Sequence, residues 1–202
     1  AQIMVPRHLR LTVEERVRAD GSVLKAVDAD EIAAIARQLA AADVGSVAIC
    51  FLHAFANPEN EQRAGRLLAQ HLPGVAISLS SDVLPRIKEF ERSSTTVINA
   101  YVKPLTLGYL GRLEAGVMAA GFRTPVQIML SNGGIASAAT AGEFPVRLIE
   151  SGPVAGAVAA QRIARLLDLP EVLAYDMGGT TAKACLIRDA AFSWLHPISE
   201  LI

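Results

Sequence analysis

Cysteine is scarce in this 202-residue chain, which carries two, and tryptophan occurs once. Neither Cys50 nor Cys185 has a second cysteine or a histidine at metal-ligand spacing, so a structural zinc module is excluded. Each stands inside a short apolar run, residues 47–52 and 184–187, and reads as a buried thiol in a reducing cytoplasm. An excess of one charge is also lacking. The 19 Lys and Arg against 20 Asp and Glu leave a formal net charge of -1, which gives no reason to expect a nucleic-acid or anionic-membrane partner. No apolar run approaches the roughly 18 residues of a membrane helix, and the opening AQIMVPRHLR lacks the basic-then-apolar pattern of a signal peptide. Repeats and low-complexity linkers are missing as well. What remains is 51% hydrophobic and 19% charged, the composition of a globular chain with a core to bury. The chain opens on Ala1 rather than Met and stops just after a strand-like stretch, so it is expected to be an internal piece of a longer polypeptide.

Alternating apolar positions at Leu9, Leu11, Val13 and Val17, then Asp20-Gly21, then residues 23–27, predict a hairpin turned at Asp-Gly. Asp28 and Asp30 cap a helix reaching about Ala42, with Ile32, Ile35 and Leu39 on one face. Residues 47–51 are a strand, Asn57-Pro58 opens a helix that Pro73-Gly74 stops, and residues 75–79 are the next strand. A helical stretch over residues 83–120 follows, interrupted at Pro104, with Val97, Tyr101, Leu105, Tyr109 and Leu113 as its core stripe. Residues 126–130 and 146–149 are further candidate strands, residues 154–167 a helix, and residues 171–175 and 184–187 the last strands. The alternation makes the fold class α/β.

Three segments share one design, an apolar strand running into a turn rich in Gly and hydroxyl or amide side chains. They are Ser131, Asn132, Gly133 and Gly134; then Ser151, Gly152 and the residues to Gly156; then Asp176 to Gly178, Gly179, Thr180 and Thr181. Glycine lets backbone N–H groups converge on an anion, hydroxyls add donors, and the second turn also opens a helix. Neither the P-loop nor the Gly-x-Gly-x-x-Gly fingerprint fits. In a hairpin of the third kind Asp176 would hold Mg²⁺ through water while the amides and hydroxyls of residues 178–181 meet phosphate oxygens. The plain structural alternative is a tight hairpin whose Asp bonds its own backbone.

The strings LSNGGIAS, ESGPVAGAVAAQRIA and AYDMGGTTAKACLI closely resemble the hydantoinase A/5-oxoprolinase family, which includes N-methylhydantoinases and the acetone carboxylase β subunit. Upstream, RLTVEERVRADGSVLKAVD, FLHAFANPENEQR and SLSSDVLPRIKEFERSSTTVINAYV are similar to it in the same order, so the resemblance covers nearly the whole chain. It implies part of an actin-like ATPase (ribonuclease H-like) fold. Residues 1–95 would be the end of the family's N-terminal region, and residues 96–202 the start of the hydantoinase A region. Residues 154–167 would be the connecting helix, and the second lobe would begin near residue 171 with a phosphate hairpin formed by Asp176, Gly178, Gly179, Thr180 and Thr181. The first phosphate hairpin and the adenosine pocket of the family have no counterpart in the chain. The family more often has Asp where this chain has Lys183, and lysine replaces a metal ligand by a point charge that suits phosphate.

The function the resemblance implies is ATP- and Mg²⁺-dependent hydrolysis of a cyclic amide such as a hydantoin or 5-oxoproline, with a second, B-type subunit or domain as partner. An ATP-dependent ketone carboxylase subunit and a non-catalytic actin-like nucleotide module are the alternatives. Among other residues, Glu89 and Arg92 are three apart and read as a surface ion pair near Asp82. His53 is a candidate base whose ordinary reading is structural, and His8, His71 and His196 have no ligand partner nearby in sequence.

Overall fold

A computed structural model describes residues 4–179, 181–189 and 191–194. It divides into two compact units, residues 1–115 with 142–146 and residues 116–141 with 147–202. The first opens on an antiparallel hairpin, β1 (Arg16–Val17) and β2 (Val23–Lys25). Asp20-Gly21 makes its turn as the residue types predict. Gly21 takes φ 83°, and the Asp20 carboxylate accepts from the Ser22 amide and hydroxyl. The paired strands are shorter than the alternation implied.

Helix α1 (Ala29–Ala41) starts where the Asp28 side chain accepts the amides of Asp30 and Glu31, and it turns Ile32, Ile35, Ala36 and Leu39 inward. Next come β3 (Ser46–Ile49), α2 (Glu59–His71) and β4 (Ala76–Leu79). The two strands are parallel, in register from Ser46 opposite Ala76 to Ile49 opposite Leu79. Parallel neighbours need a crossover, and α2 supplies it. Val27, Ile32, Leu39, Ile49, Leu68 and Leu72 close one core over this unit. Each fully buried aliphatic side chain there contributes about 1.5–3 kcal/mol.

The helix expected over residues 83–120 is two helices, the single turn α3 (Ser80–Val83) and the 31-residue α4 (Glu89–Ala119). Pro85 separates them, because it bars helical backbone at Leu84, which sits at φ -150° and ψ 81°. The expected interruption at Pro104 does not occur. Ala100 and Lys103 before it and Leu110 after it are buried and carry α4 across.

The core stripe of α4 is also corrected. Tyr101, Leu105 and Tyr109 are 67%, 76% and 56% exposed, whereas Arg92, Thr96, Asn99 and Lys103 on another face are buried. That face hydrogen-bonds to the strand beneath it. The Asn99 amide donates to Ser78 Oγ and the Glu143 carbonyl, and the Lys103 ammonium donates to the Ile77 carbonyl and pairs with the Glu143 carboxylate. Buried polar groups with partners avoid the desolvation loss that would otherwise turn them outward.

In the second unit β5 (Gln127–Met129) pairs antiparallel with β6 (Ile135–Ser137), a return strand absent from the sequence expectation. Helix α5 (Ala138–Glu143) follows. Residues 146–149 are not a strand. Pro145–Leu148, whose first two residues belong to the first unit, is a 3₁₀ turn, since Pro145 offers no ladder donor and the Val146 amide goes to Asn99 Oδ1 within that unit. Then α6 (Ser151–Leu166) lies against the antiparallel sheet of β7 (Glu171–Met177), β8 (Ala182–Arg188) and β9 (Ala191–Trp194), ordered β7-β8-β9. Ala157 packs on Cys185 and Ile187, with Ala160 and Ala174 beside them.

Candidate functional site

The 131–134 turn joins β5 to β6. The Ser131 hydroxyl donates toward the carbonyls of Arg147 (2.6 Å) and Ile149, and its amide donates to the Arg147 carbonyl at 2.7 Å. The Gly133 amide donates to the Leu130 carbonyl, and the Gly134 amide to Asn132 Oδ1 at 2.9 Å. Gly133 has φ 82°, and a Cβ there would lie 3.8 Å from Val154 and 3.7 Å from Val158 of α6. The turn is thus tied by its own bonds and set on the first turns of α6. Three of its four amides are spent inside the protein, so its first service is to position the strand that ends there.

Helix α6 opens at Ser151 and Gly152 after Glu150, a non-glycine residue in the left-handed region at φ 71° and ψ 9°. The Glu150 side chain does not cap the helix. It forms an ion pair with Lys183 of β8. Lys183 stands opposite Asp176 of β7, and Met177 opposite Ala182, so the hairpin is in register to its tip. At the tip the Gly178 amide donates to the Thr181 carbonyl at 3.0 Å. Thr180 lies outside the described residues. Asp176, Gly178, Gly179 and Thr181 are exposed, as is Gly152.

All three turns therefore gather in one unit around the start of α6. Asp176 is an exposed carboxylate near the end of β7, and a hydrated Mg²⁺ would need one or two such carboxylates, with water and phosphate at its other positions. A Cβ at Gly152 or Gly179 would meet nothing within 4 Å, leaving backbone open to a close anion. The groups that could meet a phosphate are the Gly179 amide, the Ser151 and Thr181 hydroxyls and the start of α6, since the Ser131, Gly133, Gly134 and Gly178 amides are already bonded.

A second polar cluster lies in the other unit. Arg92, expected in a surface pair with Glu89, is 1% exposed. Its Nε donates to Ser80 Oγ at 3.1 Å, Nη1 to the Arg86 carbonyl at 2.9 Å and Nη2 to the Phe51 carbonyl at 2.8 Å. Glu61, 0% exposed, accepts from the Phe51 amide, the Ser80 hydroxyl and the Ser81 amide. The surface ion pair instead joins Lys88 and Glu91 at 3.5 Å. The available signal was the set Arg92, Thr96, Asn99 and Lys103 at spacings of three and four, which looks like a solvent face until its partners are seen.

His53 is held in place, with φ 60°, Nδ1 2.9 Å from the Val17 carbonyl and its ring edge-on to Phe55. Burial, and secondarily the Glu61 carboxylate, push the Cys50 thiol up to about 12, so it supplies almost no thiolate near neutrality. Asp82 is exposed beyond β4, His8 lies in a 3₁₀ turn and His71 ends α2. His196 lies outside the described residues. Among the described residues no three His, Cys, Asp or Glu side chains gather as a metal site, and no helix is long and apolar enough to cross a membrane.

Comparison with known proteins identifies what the chain is similar to. The caprolactamase α subunit of Pseudomonas jessenii is 36% identical over 93% of the chain, which covers 27% of that protein. The 5-oxoprolinase of Saccharomyces cerevisiae is 33% identical over 83% of the chain and 13% of its own length. The nucleotide-free structure of acetone carboxylase, from work on ATP-dependent acetone carboxylation, superimposes with a TM-score of 0.82 at 29% identity, over 94% of this chain and 27% of that one. The structure of the Pseudomonas jessenii caprolactamase gives 0.81 at 35% identity, over 92% and 27%. The chain thus spans about a quarter of the length of most of these relatives, and its mixed helix and sheet are consistent with part of an actin-like fold. Residues 92–197 match the Hydantoinase/oxoprolinase model and residues 1–72 match the N-terminal region model of the same group; the chain belongs to the hydantoinase/oxoprolinase family.

Proposed function

We propose that the chain is an internal segment of an ATP-dependent amidohydrolase subunit that opens a cyclic amide of the hydantoin or 5-oxoproline type. The observation that carries this reading is the docking of the β7–β8 hairpin, with Asp176 and its glycines, at the start of α6 through Lys183 and Glu150. The ATP-dependent caprolactamase relative supports it. On this reading α6 connects two lobes and the second lobe begins near residue 171. Residues 1–95 end the N-terminal region, and residues 96–202 begin the hydantoinase A region.

A lactam carbonyl resists water because nitrogen donates into it. Transfer of the γ-phosphoryl group to the carbonyl oxygen forms a P–O bond, releases ADP and leaves an electrophilic carbon. Water then adds to that carbon, the C–N bond breaks, nitrogen takes a proton and phosphate departs. Asp176 would hold Mg²⁺ through water, which supplies charge neutralisation at the phosphates. The Gly179 amide and the hydroxyls of Ser151, Thr180 and Thr181 would donate to phosphate oxygens, while the internal bond of Gly178 keeps the bend in shape. Gly152 admits the anion to the helix start. Ser131, Asn132, Gly133 and Gly134 would form the wall behind it. A B-type subunit as partner and a cytoplasmic location complete the reading.

The second reading, a ketone carboxylase subunit, is favoured by the fit to acetone carboxylase and by 30% identity to the acetone carboxylase β subunit of Xanthobacter autotrophicus. Phosphate release by the full-length polypeptide, co-expressed with its B-type partner, separates the two. ATP hydrolysis is expected to depend on a hydantoin, 5-oxoproline or caprolactam, with one ring opened per ATP. Stimulation by a ketone with bicarbonate alone would shift the assignment to carboxylation, and turnover indifferent to both would leave a non-catalytic module.

A further inference from the structure

Side chains alternate across a sheet, so the pairs Val172 with Ile187, Ala174 with Cys185, and Asp176 with Lys183 all lie on one face. Cys185, Ile187 and Ala174 pack with Ala157 of α6, which identifies that face as the one α6 covers. Asp176 and Lys183 are the next pair along it, beyond the apolar contacts. The Lys183 side chain is only 25% exposed and its ammonium is held by Glu150. Glu150 is itself placed unusually. It occupies a left-handed backbone position, and its carboxylate leaves the helix amides uncapped while binding Lys183.

An ammonium on a flexible stem accepts either a carboxylate or a phosphate as its counter-charge. We infer that Glu150 is a latch that parks Lys183 at the mouth of the hairpin, and that nucleotide phosphate takes the place of the Glu150 carboxylate on Lys183. Lys183 is then a phosphate-binding residue and Glu150 a positioning residue that acts through it, and the inference rests on the phosphate reading of the hairpin. Glu150 then opposes phosphate binding and Lys183 favours it, although the two attract each other. A purely structural ion pair has no such opposition of sign.

Calorimetric titration of the full-length polypeptide with ATP and with inorganic tripolyphosphate tests this, alongside melting temperatures of every variant. Glu150→Gln is expected to tighten Kd about three- to tenfold by removing the competing carboxylate, and Lys183→Met to weaken it about tenfold. The double variant should match Lys183→Met, since a latch without its ammonium has nothing to release. Lys183→Arg should keep binding within about threefold of wild type and serves where Lys183→Met fails to fold. Binding by wild type that both single substitutions weaken, or that neither alters beyond twofold, overturns the latch and leaves the hairpin reading standing. Absence of binding of both probes to a folded wild-type protein overturns the phosphate reading itself, and the latch with it.

Discussion

Arg92→Ala should destabilise the protein by about 3–5 kcal/mol, the range for removing one member of a buried charged network. Three carbonyl or hydroxyl oxygens lose their donor: Ser80 Oγ, the Arg86 carbonyl and the Phe51 carbonyl. The guanidinium also lies 5.4 Å from the centre of the Phe55 ring, and the substitution removes that cation–π attraction too. Glu61, buried and sharing the Ser80 hydroxyl with Arg92, keeps its three donors but loses the positive charge on the far side of that hydroxyl. For a chain of this size the loss is a fall of roughly 6–20 °C in melting temperature. Adding Glu61→Gln to Arg92→Ala should cost less than the sum of the two single changes, because the second removes the buried negative charge. Thermal unfolding of the four proteins checks this. A loss below about 1 kcal/mol for Arg92→Ala would return the residue to the surface role its spacing from Glu89 suggested.

The second large effect lies at the hairpin. Asp176→Asn in the full-length polypeptide should leave the melting temperature within a few degrees of wild type while cutting kcat about 10²- to 10³-fold, the scale of one deleted electrostatic contact in a transition state. Asn keeps the size and tolerates the same turn backbone, so a merely turn-forming Asp would be well replaced. Asp176 is exposed and stands near the end of a strand paired in register, so the substitution has no core to disturb. Substrate-dependent phosphate release of the two proteins is the measurement. Activity within about threefold of wild type would reassign Asp176 to structure.

The elements that carry their own signals are legible in the sequence. Asp28 caps α1, Asn57-Pro58 precedes α2, Asp20-Gly21 makes a turn, and the strands either side of the Gly-rich segment after Met177 pair as a hairpin, whereas the return strand after residues 131–134 had no signal that was read. Side-chain chemistry taken without its partners misleads. An aromatic stripe on α4 looks like core and is largely exposed, while the polar face beside it is buried. Burial of that face depends on Ile77, Ser78, Ser80 and Glu143 being within reach, and three of these are about twenty or more residues away from their partners. Periodicity reports amphipathicity and is blind to a polar face that finds donors and acceptors inside. Likewise Lys183 stands out in the sequence as a charge in the hairpin, but its tie to Glu150 spans two elements and no local pattern announces it.

Hydrogen exchange of the full-length polypeptide with and without ATP and Mg²⁺ measures where the nucleotide is held. Nucleotide is expected to slow exchange in residues 176–183 and at the start of α6, residues 151–154, with little change over α1 and α2. Saturating nucleotide that protects other segments and leaves both of these unaltered would contradict that placement.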